Sequence, residues 1–294
     1  MVNKGTDSTI DTLRNETVSI PAPVDPRHRD PSIFEKIIAW FFIAALVLTA
    51  LLIFFSRIAR LGNIYFGTLF VGKGKRNRVA LLLTDKFPYY NQLPTAQKDN
   101  FVRRVVCFMR SKKFNFQSMP DNQDISYLIS ASAIQLTFGL NDFLLEHFTT
   151  IHILSNEYQH FAYATPFQGH TSDGEIYFSW PHFVHGYSAG NDKHNLGLHE
   201  MAHALTWQCF YSGGTGDRHF RKTFSTYSRV GRPLFARMQA GERNILGDYA
   251  ATNYDEFWAT SVEVFFEQPH QLKAELPELY EVMCKLLKQF PADT

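Results

Sequence analysis

Nineteen consecutive residues, Ile37 to Phe55, carry neither a charge nor a proline. As a helix this run is roughly 28 Å long, which matches the hydrocarbon core of a bilayer. Trp40 near its start and Arg57 and Arg60 just beyond its end are residue types that anchor a helix at the two interfaces. A core helix of a soluble domain is rarely apolar on every face for so long. A cleaved signal peptide has a shorter apolar stretch and a short basic start, whereas here a long polar segment comes first. The run therefore predicts one transmembrane helix over residues 33–57, in contact with lipid through residues 37–55. Residues 1–32 lack apolar periodicity and are expected to form a disordered tail. Arg27, Arg29 and Lys36 precede the span, while Arg57, Arg60, Lys73, Lys75, Arg76 and Arg78 follow it. By the positive-inside rule the C-terminal part is expected in the cytoplasm.

The remainder, residues 75–294, is long enough for one domain with a sizeable core. A 45% hydrophobic content and 27 Phe supply that core, and a net charge of +1 gives no reason to expect a nucleic-acid partner. The three cysteines, Cys107, Cys209 and Cys284, are far apart and odd in number. That fits free thiols in a reducing compartment better than a disulfide framework. Apolar spacing predicts helices over 95–112, 123–138, 255–267 and 277–290, with Pro277 in the first turn of the last. Thr150–Leu154 and Glu175–Trp180 read as strands, Gly186–Lys193 as a loop, and a helix begins near Asn195.

That helix carries His199-Glu200-Met201-Ala202-His203. In a helix, residues i and i+4 leave the same face one turn apart, so both imidazoles can bind one zinc. Glu200 sits beside the first ligand and can take a proton from a metal-activated water without itself binding the metal. Two surface histidines on an amphipathic helix would give the same pattern with no function. A catalytic zinc needs a third protein ligand. The metzincin extension requires Gly and His at positions 206 and 209, where this chain has Thr206 and Cys209. Glu256 and Glu263, seven apart on the 255–267 helix among apolar neighbours, are both candidates. One could serve as ligand and the other as a partner hydrogen-bonded behind a ligand. Asp217 and His219 are weaker alternatives.

Further segments resemble the Mlc titration factor A family of zinc-dependent peptidases, whose ligands are gluzincin-like. Gly174-Glu-Ile-Tyr-Phe-Ser179-Trp180 is similar to the family's strand before the active-site helix, and Gly186 and Asn195 fit as well. Asp248-Tyr249-Ala250-Ala251-Thr252, followed by Asp255-Glu256-Phe257-Trp258-Ala259 and Glu263-Val-Phe-Phe266, resembles its second motif. The likeness covers about residues 80–290. It implies one zinc per chain held by His199, His203 and Glu256, Glu200 as general base, and Glu263 as the carboxylate supporting a ligand. Tyr249 falls on the family's tyrosine before the double alanine, where a phenol could donate to an oxyanion. Where the family has an Asp soon after the second His and then an Asp-Gly pair, this chain reads Leu205-Thr206-Trp207 and Ser212-Gly213-Gly214. The transmembrane segment is a further departure.

The expected fold is α+β: a mainly helical, zincin-like metallopeptidase domain with a small sheet, preceded by one transmembrane helix. The expected activity is hydrolysis of a peptide or protein substrate. The strand Glu175–Trp180 is a candidate for pairing with that substrate. The alternative is a regulatory module that sequesters a transcriptional regulator or other partner, with catalysis secondary.

Overall fold

A computed structural model describes residues 32–69, 71–158, 167–189 and 193–293. The expected tail therefore lies, apart from Ser32, outside the described residues, as do the side chains of Arg57 and Arg60. The chain divides into two units, residues 1–60 and 61–294. The described residues of the first, 32–60, lie almost wholly in helix α1 (Ile33–Leu69), which runs on past residue 60. Its start is capped by Ser32, whose Oγ accepts from the Glu35 amide while the Glu35 carboxylate accepts from the Ser32 amide. From Ile33 to Phe55 the helix is long and apolar enough to cross a membrane, and none of its most apolar window is buried against protein.

The second unit contains α2 (Lys73–Lys86), α3 (Pro88–Gln92), α4 (Thr95–Arg110), β1 (Lys113–Gln117), α5 (Gln123–Thr137), β2 (Thr150–Leu154), β3 (Gly169–Ser172) and β4 (Glu175–Ser179). It continues through α6 (Trp180–Ala189), α7 (Leu196–Phe210), α8 (Arg218–Gln239), α9 (Tyr254–Glu267), α10 (Pro269–Glu275) and α11 (Pro277–Leu287). Helix dominates, and the one sheet among the described residues is mixed, in the order β1-β2-β4-β3. β1, β2 and β4 run parallel, and β3 turns back antiparallel to β4 as an edge strand.

Local sequence explains the helix boundaries that matter. Asn195 caps α7 through its Oδ1, which accepts from the Leu198 amide at 3.0 Å. Asn253 caps α9 by accepting from the amides of Asp255 and Glu256, both at 2.9 Å. The two acidic residues of that first turn are favoured by the helix dipole, so Glu256 is fixed at the third position of a capped helix. α5 and α7 are buried on most faces, and Trp258 of α9, itself fully buried, donates from Nε1 to the carbonyl of Ala202 in α7 at 3.0 Å. This indole holds α9 against the helix carrying the histidine pair.

Three expectations are corrected. The strand expected over Glu175–Trp180 stops at Ser179, and Trp180 already begins α6, because Pro181 is tolerated in a first helical turn, where its missing N–H has no partner to lose. The loop expected over Gly186–Lys193 is helical from Gly186 to Ala189, with 190–192 outside the described residues. Gly186 is a packing glycine: a Cβ there would stand 2.9 Å from Asn195 Cα. Finally, β4 is paired on both sides, with β2 and β3, so it has no open edge for a substrate; the edge position belongs to β3.

Removing the indole of Trp258 is expected to cost about 3–5 kcal/mol, the range for deleting a large buried aromatic. Urea unfolding of the Trp258→Ala variant, followed by far-ultraviolet circular dichroism, measures the loss.

Candidate metal centre

α7 and α9 bring three donor atoms together. Nε2 of His199 lies 3.1 Å from Nε2 of His203 and 3.0 Å from Oε2 of Glu256, and His203 Nε2 is 3.6 Å from the same oxygen. Two ligands bound at 2.0–2.1 Å with a tetrahedral angle between them stand roughly 3.4 Å apart, so these separations fit one shared cation. Among the described residues this is the one such convergence of His, Cys, Asp or Glu groups.

The chemistry of the donors fits as well. Glu256 Oε2 is buried and accepts no directed hydrogen bond despite its short approach to His199. Nδ1 of His199 is 2.7 Å from Oε1 of Glu263, which can only accept, so in the neutral ring the proton sits on Nδ1 and the Nε2 lone pair faces the cluster. Burial works against charge on His199, but Glu256 and Glu263 raise its pKa well above the usual imidazole value. Burial likewise acts to raise the Glu256 pKa, yet His199 and His203 hold that carboxyl well below the usual range. Both shifts have one cause: the carboxylates and the imidazoles stabilise each other's charged forms.

Glu263 is 4% exposed and held from two sides. Its Oε1 meets His199, and its Oε2 accepts from the Asn195 amide at 2.6 Å. Asn195 also donates from Nδ2 to Glu267 at 3.0 Å and to the Gly186 carbonyl at 3.3 Å. The cap of α7, the end of α6 and the middle of α9 thus meet in one polar network directly behind His199.

Glu200 is 5% exposed and stands on the β3 side of the pair. Thr171 Oγ1 of β3 lies 2.8 Å from its Oε2. Residue 169 is glycine, and a Cβ there would lie 2.5 Å from Glu200 Oε1, so a larger residue would push that carboxylate aside. Tyr249 sits on a short 3-10 turn, Asp248–Ala251, with its ring 6.1 Å from that of His199. Tyr249 is more than half exposed, but partial desolvation beside the Glu256 carboxylate pushes its pKa up to about 12.

The weaker candidates lie elsewhere. Asp217 caps α8 through the Phe220 amide and also accepts from the amides of Asn141 and Asp142. His219 pairs with the carbonyl of Lys285. In place of the family's Asp, Leu205 is in the core and the Thr206 hydroxyl bonds back to the carbonyls of its own helix at His203 and Ala202. Sequence reasoning missed Gly169 and Thr171, which belong to a short strand with no strong propensity, and Trp207 and Tyr211, which line the same cleft. The last two continue the four-residue spacing of the histidines and were in principle legible.

The pattern of the family described as glucose-regulated metallo-peptidase M90 matches residues 74–288, a stretch that contains α7, α9 and the turn bearing Tyr249. The chain is also similar to an uncharacterized protein of Synechocystis sp. (strain ATCC 27184 / PCC 6803 / Kazusa). The two are 23% identical over 223 residues, 69% of this chain and 81% of the relative.

Asn195→Ala removes the side-chain cap of α7 and two side-chain bonds, so a loss of about 1–2 kcal/mol is expected, the upper range for a helix cap. Thermal unfolding by calorimetry, compared with the unsubstituted chain, reads it directly.

Proposed function

Because the chain belongs to the glucose-regulated metallopeptidase family M90, we propose that it is a membrane-anchored, zinc-dependent peptidase with a zincin-like site. In this reading His199, His203 and Glu256 bind the zinc and Glu200 is the general base. The observation that carries it is the meeting of three donor atoms with a buried carboxylate, Glu200, one residue from the first of them. Zinc held by these residues would supply Lewis acidity toward a peptide carbonyl and acidify water beside it.

The protein's own groups do the rest. Glu200, oriented by the Thr171 hydroxyl, takes the proton of the attacking water and delivers it to the leaving nitrogen. Tyr249, its pKa pushed up to about 12, stays protonated through the neutral range and donates toward the oxyanion that develops on the substrate. Glu263 fixes the ring of His199 through Nδ1. An extended peptide adds to the edge strand β3, which runs past Glu200 and gives main-chain alignment without regard to side chain.

The test combines zinc content with hydrolysis. One zinc per chain is expected in the unsubstituted protein and in Glu200→Gln, with hydrolysis of a peptide library abolished in the latter. His203→Ala and Glu256→Gln are expected to lose the metal, and Glu263→Gln to bind it about 10–100-fold more weakly. Wild-type hydrolysis by zinc-loaded Glu200→Gln would overturn the assignment of the base.

Ile33–Phe55 serves in this reading as the membrane anchor, with the catalytic unit on the cytoplasmic side, where Cys107, Cys209 and Cys284 remain free thiols. The full chain is expected to stay in the membrane pellet after alkaline carbonate washing. In sealed, inside-out vesicles the C-terminal unit is expected to be digested by added protease; its protection there would reverse the orientation.

A further inference from the structure

The face of α7 that carries the histidines continues beyond them. Steps of four lead from His199 and His203 to Trp207 and Tyr211, so all four side chains follow one stripe. The rings of Trp207 and Tyr211 lie 5.4 Å apart. Trp207 is held in place by its Nε1, which donates to Nε2 of His147 at 3.1 Å. Tyr211 is 68% exposed. A cavity of about 510 Å³ extends from the histidines along this stripe, past His170, Thr171 and Thr206. A second cavity of about 500 Å³ leaves the site in the other direction, past Gln168 to His182, His185 and His194. Phe167, Gly169, His199, Glu200 and Tyr249 line both. The cleft therefore has two arms that meet at Glu200: an aromatic arm with the Trp207–Tyr211 shelf, and a polar arm that reaches three histidine rings and is also lined by Leu196.

β3 supplies a direction. Its approach begins at Gln168 in the polar arm, passes Gly169 at the junction and reaches His170 and Thr171 in the aromatic arm. A peptide that adds antiparallel to this edge, the more stable pairing sense, runs the opposite way. Its residues before the cleaved bond then lie along the aromatic arm, and those after it lie along the polar arm.

We propose that Trp207 and Tyr211 form a subsite for a large apolar or aromatic side chain on the N-terminal side of the bond cleaved. The proposal rests on the peptidase reading above. The shelf offers rigid ring area whose covering removes apolar surface from water, with stacking geometry open to an aromatic partner. Among the described residues the polar arm has no second ring pair of this kind, so the shelf is expected to set the preference.

The test uses the full, zinc-loaded chain in detergent micelles and a library of unstructured peptides, with cleavage positions read by mass spectrometry. Phe, Tyr, Trp or Leu is expected to be enriched before the cleaved bond. Matched peptides differing there in Phe or Gly are expected to differ about tenfold or more in kcat/KM, the scale of discrimination by an apolar pocket. Tyr211→Ala and Trp207→Leu should each bring that ratio toward one. Tyr211 is exposed, so its variant reports even if Trp207→Leu fails to fold. Cleavage without such a preference, a preference confined to residues after the bond, or an unchanged ratio in Tyr211→Ala overturns the subsite alone. Failure of the unsubstituted protein to cleave any peptide overturns the peptidase reading and the subsite with it.

Discussion

One buried carboxylate ties the site together. Glu263 sits in the middle of α9 and reaches across to α7, bonding the ring of His199 with one oxygen and the Asn195 amide with the other. A charge so deeply buried is tolerated only when both oxygens are satisfied. Here the partners that satisfy it are the start of the histidine-bearing helix and its first histidine. The ring of His199 and the N-terminus of α7 are therefore both tied to α9 by a single side chain. Trp258, five residues earlier on α9, makes a second tie further along α7 through the carbonyl of Ala202.

Three carboxylates, Glu200, Glu256 and Glu263, crowd around two imidazoles. Such a cluster repels itself unless positive charge lies among its members. The directions of the His199 and Glu256 shifts reflect that pairing of opposite charge, and the contacts of the three carboxylates differ. Glu256 faces the histidine Nε2 atoms, Glu263 faces the outer nitrogen of one ring, and Glu200 faces the hydroxyl of a strand residue. What each carboxylate can do follows from which atom it meets.

Much of the architecture was legible in the chain itself. The apolar run, the helices around 95–110, 123–137 and 277–287, and the capped start near Asn195 follow from periodicity and capping chemistry, which are local. The loop expected after Gly186 fails for a non-local reason: that glycine allows α6 to touch Asn195 rather than breaking the helix. The substrate strand expected over Glu175–Trp180 fails similarly, because a strand's own residues do not reveal which of its two edges a neighbour will cover. β3, which does form the edge, is only four residues long and contains Gly169, so its local signal is weak.

The sequence by itself determined the His199–His203 pair and the adjacent Glu200, because a helix places i and i+4 on one face whatever surrounds it. It also determined the long apolar segment, whose meaning depends only on length and composition. It left Glu256 and Glu263 equivalent, since residues seven apart share a face; a resemblance alone separated them. The tertiary structure distinguished their surroundings by bringing α9 against α7 at one particular height, where Glu256 meets two Nε2 atoms and Glu263 meets Nδ1. It also brought Gly169 and Thr171 beside Glu200 from more than twenty-five positions earlier in the chain. Contacts of that kind depend on packing between elements, and no local rule of spacing carries that information.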